Sequence, residues 1–429
     1  MTDRPTDRFK VLLGLIAFGA LSLRVAYIAL ETGNAVGGDG RYYHVIAGLI
    51  ADGKGFIAPK AYVNHAIVSQ SAVHPPAWPL ALAAAALVGL RTTLEQQLVA
   101  CVIGTATVVV IAFAGRRIAG ETAGLIAAAI AAVYPNFWLY ERELMSETLT
   151  LFGAALTVLL AYRFCDRPSW RRAVGLGLAC GLLAMTHSEQ LLLVGVLLVP
   201  LVLLTRGVPL RRRLAWAALA AAATAATVIP WAAYNTHRFH KPVLLGTQFG
   251  VNIAIGNCSY VYSGAHLGFQ DQRCAAAAIA SGRITGHDEP TRDGQFLHVG
   301  LDYARAHLSR LPLVVAAREG RTWGILPQQL QGDRSRGTIS PVLQLGFVVY
   351  WILVPAAVAG VVILRRRRVT VLPLLAFVVT VSIGVALTFG FTRFRAAAEV
   401  AIVLLAAVTV DAMLRARAAS RSRTEPEQP

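Results

Sequence analysis

The sequence predicts an all-α polytopic membrane protein, and three observations predict it: a mean hydropathy of +0.57, only 15% charged residues in 429, and ten apolar runs of about spanning length. Crossing about 30 Å of hydrocarbon takes roughly 17–24 residues of helix. Such runs lie at 11–30, 97–114, 121–138, 144–164, 173–188, 189–205, 214–231, 341–364, 369–390 and 396–414.

Lys and Arg in short loops stay on the cytoplasmic side, so charge orients these runs. With the amino terminus inside, "MTDRPTDRFK", "GRRIAG", "RFCDRPSWRR", "TRGVPLRRR", "RRRR" at 365–368 and "RARAASRSR" all fall inside. Together they hold more than half of the 40 Lys and Arg. That placement requires 77–90 not to cross. The run is short for a span and is expected to be an interfacial or re-entrant helix. The net charge of +17 is then a topology signal, and no nucleic-acid partner is expected. Arg24 interrupts the long first run, which reads as a retained anchor rather than a cleaved signal.

The expected organisation is a transmembrane module at 1–234 containing a first external loop, 31–96. An external segment at 235–340, a three-helix transmembrane block at 341–414 and a cytoplasmic tail at 415–429 follow. Within the external segment "GFQDQRCAAAAIASGRI" and "DGQFLHVGLDYARAHLSRL" have helical periodicity, whereas "KPVLLGTQFGVNIAIGNCSYVYSG" reads as short strands or loops, making the segment mixed. Cys258 and Cys274 share this segment and are expected to pair; Cys101, Cys165 and Cys180 lie in or beside spans as packing residues.

Ionisable side chains are costly in hydrocarbon, so their positions carry information. Here they gather at the expected outer boundary. Asp39, His44 and His74 are in the first loop; Glu141, Glu143 and Glu147 mark the start of the fourth run; His187 and Glu189 form a turn; Arg393 and Arg395 mark the last outer turn. Each also has a plain structural reading. Asp39 in "GGDG" suits a turn, Glu143 and Glu147 suit a helix start, and Tyr42, Tyr43 and Trp78 suit an interface. Arg395 suits a plain pair with Glu399 one turn on.

In combination these pieces resemble the bacterial GT-C fold membrane glycosyltransferases, the branch akin to protein O-mannosyltransferases (family 39) and the lipid A aminoarabinose transferase. The resemblance rests on "GDGRYYHVIAGLIADGKGF", "HPPAWPLALA", "GRRIAGETAGLIAAAIAAVYPNFWLYERELMSETLTLF", "PWAAYNTHRF…GVNIAIGN" and "TRFRAAAEVAIVLLAA". It implies a sugar donor on a polyprenyl phosphate, inverting transfer, and Asp39 as the general base. The acceptor would be a cell-envelope glycan, glycolipid or protein. It implies donor-phosphate contacts from Arg395 above all, with Arg393 and His187, and substrate contacts from Tyr42, Tyr43, His74, Glu143, Glu147, Glu189, Asn235 and Asn257. The resemblance places the enzyme in the bacterial plasma membrane with its site facing outside. His187 stands where relatives carry Lys or Arg, and Gly40 follows Asp39 where protein mannosyltransferases have Glu. No metal-ligand spacing is evident, so no cofactor is expected to be required, although a divalent metal is compatible with the nearby acids and histidines. A multi-pass transporter or lipid flippase is the rival reading, since ten spans and a basic interior suit it equally.

Overall fold

Apolar segments without water around them must satisfy their own amides, and this chain does so almost entirely as helix. The computed structural model describes residues 5–30, 36–326 and 341–424. Parts of the expected first loop (31–35), external segment (327–340) and tail (425–429) lie outside the described residues. The helices are α1 (Pro5–Leu30), α2 (Gly38–Ala51), α3 (Pro59–His65), α4 (Ala77–Leu87), α5 (Thr93–Ala119), α6 (Glu121–Val133), α7 (Pro135–Arg142), α8 (Glu147–Asp166) and α9 (Trp170–Ala184). They continue as α10 (Ser188–Leu203, a run of 3-10, π and α turns), α11 (Leu210–Phe239), α12 (Phe249–Gly256), α13 (Gln272–Ala280), α14 (Glu289–Ala306), α15 (Leu311–Thr322), α16 (Pro341–Arg366), α17 (Leu372–Leu387) and α18 (Ala396–Thr424). Among the described residues no strand forms; one isolated bridge pairs Ile57 with Gln70.

All ten apolar runs are helical, but they are not equally long. Among the described residues six helices are long and apolar enough to cross a membrane, and α6 with α7 makes a seventh if that pair, bent by 45°, is one span. Tyr134 is extended and Pro135 opens α7, which is the cause of the bend. The remaining runs correspond to α9 (15 residues), the broken α10 and α17 (16 residues). The interfacial candidate α4 has 11 residues, about 16 Å of helix, half of what a span needs.

The bundle is ordered by burial. In α18, 78% of the apolar window is buried, against 22% in α1 and 28% in α11 and α16, so α18 is the central helix and the others present apolar faces outward. Small residues allow the helices to approach closely. A Cβ on Gly177 of α9 would lie 2.1 Å from the Ala220 carbonyl of α11, and one on Gly360 of α16 would lie 2.2 Å from the Leu405 carbonyl of α18.

The strand-or-loop reading of 241–264 is corrected. Phe249–Gly256 is helix α12, and its Ile253, Ala254, Ile255 and Gly256 are all buried. Alternation of apolar and small residues mimicked a strand, whereas the helix is enclosed on nearly every side. The described part of 235–340 is therefore helical rather than mixed, with Cys258 and Cys274 joined by a disulfide.

Candidate active site

The site begins with the glycines around Asp39. Gly38 has φ +53°, and a Cβ on Gly40 would lie 1.9 Å from the Glu143 carbonyl oxygen. Only glycine lets α2 start here against the α7–α8 turn. Asp39 consequently occupies the first turn of α2, where the helix dipole favours an anion.

Asp39 Oδ2 accepts from Arg393 Nη1 at 3.0 Å, and Oδ1 lies 3.8 Å from His74 Nε2. Arg393 Nε is 2.8 Å from Glu147 Oε1, so one guanidinium bridges two carboxylates. Beyond Glu147, His187 Nε2 is 3.7 Å from Oε1 and 3.1 Å from the Ser146 hydroxyl, and its Nδ1 is 3.2 Å from Glu189 Oε1. Ser146 also meets the Tyr43 hydroxyl at 3.2 Å. The His74 ring is wedged between Tyr42 and Tyr43, with centroids 5.0 and 4.9 Å away.

Burial raises the Asp39 carboxyl's affinity for a proton, but the Arg393 guanidinium outweighs it and holds the group below the usual carboxylate range. Burial pushes His74 down to about 4, so the ring is neutral at pH 7 and Arg393 is the cation that matters to Asp39. His187 is raised despite its burial, because Glu189 and Glu147 face it. Glu143 is raised by burial.

A cleft of about 140 Å³ opens beside this network, lined by Glu143, Phe269, Arg321, Phe391, Arg393 and Arg395 among others. It combines cations, a carboxyl group and aromatic rings at one end of the bundle. Among the described residues no group of three or more His, Cys, Asp or Glu is arranged to hold a metal ion.

The structure brings together Asp39, Tyr42, Tyr43, His74, Glu143, Glu147, His187, Glu189 and Arg393. Arg395 reaches the cleft wall, but its side chain is 3% exposed and is held by Glu399 at 2.6 Å, by the Thr322 carbonyl and by the Tyr350 ring. The Arg395–Glu399 pair forms and is buried, whereas Arg393 is the more exposed of the two arginines at the cleft. The asparagines are elsewhere. Asn235 Oδ1 accepts from Arg238, and Asn257 Oδ1 accepts from Tyr262 and Arg318, so both amides face structural arginines. Sequence reasoning missed Ser146 and Arg238; the Ser directly before Glu147 was the available signal for the first.

Residues 73–234 match the family model for dolichyl-phosphate-mannose-protein mannosyltransferase. Among solved structures, the archaeal oligosaccharyltransferase AglB from Archaeoglobus fulgidus, in complex with an inhibitory peptide and a dolichol-phosphate, superposes with a TM-score of 0.54 at 13% identity, covering 98% of this chain and 52% of that one. The same archaeal enzyme in complex with Zn and sulfate gives 0.55 at 15% identity, covering 94% and 49%. The chain has the GT-C fold. ArnT from Cupriavidus metallidurans bound to undecaprenyl phosphate gives 0.43 at 15% identity, covering 98% and 81%. A comparison with curated proteins gave no match. The chain spans about half the length of the oligosaccharyltransferase chains. Within the GT-C fold seen here, the family match contains His74, Glu143, Glu147, His187 and Glu189, while Asp39 and Arg393 lie outside it and are joined to it in space.

Proposed function

We propose that the chain is a membrane glycosyltransferase moving a sugar from a polyprenyl-phosphate donor to an acceptor hydroxyl at the Asp39 end of the bundle, with inversion. The observation that carries this reading is Asp39 beside a cleft and paired at 3.0 Å with Arg393. Asp39 takes the acceptor's proton as its oxygen bonds to the anomeric carbon. The bond from that carbon to the phosphate oxygen breaks, and the lipid phosphate departs with the electron pair. Its growing charge needs a cation more than an acid, and a bidentate guanidinium suits it.

Arg393 fills that role better than Arg395, because it is shared between two carboxylates at the cleft. Phosphate binding to Arg393 loosens its hold on Asp39, and the carboxylate becomes a stronger base when donor is present. His187 stands next to Glu147 and Glu189 as a further cation once protonated. The acceptor belongs to the cell envelope, as glycan, glycolipid or protein, and the site faces out of the bacterial plasma membrane. Arginine supplies the charge that a metal would otherwise supply, so turnover is expected to persist in EDTA.

Asp39→Asn tests the reading. In proteoliposomes with purified polyprenyl-phosphate sugar, turnover is expected to fall at least about 1,000-fold while the melting temperature stays near wild type, since a carboxamide keeps the shape but is no base. Turnover within about tenfold of wild type would remove Asp39 from the chemistry.

A further inference from the structure

The first loop delivers His74 and Ser71 to the Asp39 site, and two charged side chains fix it from opposite sides. Arg238, near the end of α11, donates from Nη1 to the Phe56 carbonyl at 2.6 Å and to Gln70 Oε1 at 2.9 Å, and from Nη2 to the Ser71 carbonyl at 2.5 Å. Its own plane is held by Asn235 Oδ1, 3.0 Å from Nε and 2.7 Å from Nη2, and by the rings of Tyr234 and Phe239 at 4.7 and 4.9 Å. Glu289, the first residue of α14, accepts the Ala72 N–H at 2.7 Å and the Thr247 hydroxyl at 2.9 Å on one oxygen. The Thr247 N–H donates to the Ala72 carbonyl at 2.8 Å, and the Ser71 N–H donates to the Phe56 carbonyl at 3.0 Å. Every backbone polar group of Ser71 and Ala72 is therefore held. The Ser71 hydroxyl meets Tyr42 at 3.2 Å, and two residues beyond Ala72 stands His74.

We propose that Arg238 and Glu289 are positioning residues that clamp the 70–72 backbone and so hold His74 and Tyr42 against Asp39. Because Glu289 belongs to α14, the clamp also ties the helical segment after α11 to the site. The consequence for turnover rests on the proposed role of Asp39; the clamp itself does not. Lysine at 238 keeps the charge but lacks the planar fork that reaches three acceptors at once. Glutamine at 289 keeps the accepting oxygen, whereas alanine removes it.

The test is hydrogen exchange of the full chain in detergent, followed by kinetics. Arg238→Lys and Glu289→Ala are expected to speed exchange at least about tenfold in 56–74 while α8 and α18 stay protected; Glu289→Gln should stay near wild type. In turnover, the first two should lose about tenfold or more in kcat with donor KM little changed, and Glu289→Gln should recover most of it. Exchange that is unchanged in 56–74, or loosened equally throughout the bundle, would overturn the clamp. Local loosening with unchanged kcat would overturn the positioning role. Exchange needs no substrate, so failure of the Asp39 reading leaves the first result standing.

A separate observation lies at the opposite end of the bundle. The ends of α5 and α8 and the start of α9 bring Arg117, Arg163, Arg171 and Arg172 around a pocket of about 330 Å³ floored by Leu160 and Gly175. Arg117 pairs with Asp166, and Arg172 donates to the Arg163 and Arg167 carbonyls. Among the described residues, the Arg163 guanidinium has no hydrogen bond or ion pair. From Gln96, at the Asp39 end of α5, to Arg117 is about 31 Å of helix, a hydrocarbon thickness. Exposed Trp170, with Arg171 over its ring at 5.4 Å, marks a membrane interface at that level.

We infer that this pocket binds the phosphate of an anionic phospholipid, with Leu160 against its glycerol and acyl start. In neutral detergent, phosphatidylglycerol is expected to raise the melting temperature by several degrees, and phosphatidylcholine or inorganic phosphate at equal concentration far less. The Arg163→Gln/Arg171→Gln double variant should melt like wild type without lipid and lose the shift. An equal shift in the variant would overturn the site. An equal shift from inorganic phosphate would overturn the lipid assignment in favour of a free anion.

Discussion

Arg393 and Arg395 flank Phe394 in one turn and carry the same charge, yet they end in opposite surroundings. Arg395 is buried against Glu399 at the start of α18, where Asn136 also donates to that carboxylate, and only the edge of its side chain reaches the cleft. Arg393 is 25% exposed and shared between Asp39 and Glu147 at the mouth of a cleft. The Arg395 guanidinium is almost wholly buried, with Nε on Glu399, Nη1 on the Thr322 carbonyl and its plane over the Tyr350 ring. A guanidinium shared by two acids beside open space can exchange an acid for a phosphate without being left unpaired. Under the proposed function, the contrast separates a residue that holds the fold from one placed to act.

The largest expected effect breaks the buried side. Arg395→Ala leaves Glu399 buried without its cation and should destabilise the protein by about 3–5 kcal/mol, while the protein that remains folded binds donor normally. Thermal melts and binding on the folded fraction check both halves. Normal stability would mean that the pair does not hold the fold.

On the open side, acid should act through His74. Its folded value of about 4 lies below the ordinary histidine value, so the unfolded chain binds more protons between those values and stability rises with pH across that window. Acidification from about pH 6.5 to about 4 is therefore expected to cost up to about 3 kcal/mol, and His74→Gln should flatten that part of the melting profile. A profile of His74→Gln identical to wild type would assign the loss to other groups.

Gly40→Ala sharpens the contrast with a smaller change in stability. The added Cβ meets the Glu143 carbonyl and must push α2 outward, at about 1–3 kcal/mol, and Asp39 moves away from Arg393 with it. Turnover should fall far more than stability does; equal losses would deny that α2 is aimed.

Much of this was legible from residues alone. Ten apolar runs gave ten helical regions, and the lone acid among glycines pairs with Arg393, an arginine of the cleft wall. Three things were not legible, each for a physical reason. Hydropathy cannot show that α10 breaks into 3-10 and π turns, because the composition stays apolar throughout. Spacing shows that Arg393 and Arg395 diverge but not which one meets Asp39, 354 positions away. Asn235 and Asn257 fit a motif, yet an amide's partner is set by the arginine that folding brings to it, here Arg238 and Arg318.

The most direct test of the account is the affinity of undecorated polyprenyl phosphate for the wild type, Arg393→Ala and Arg395→Ala in nanodiscs. Loss of a charge-assisted phosphate contact worth about 3 kcal/mol predicts a weakening of at least about 100-fold for Arg393→Ala, against a few-fold at most for Arg395→Ala. Wild-type affinity in Arg393→Ala, or an equal loss in both variants, would contradict the account.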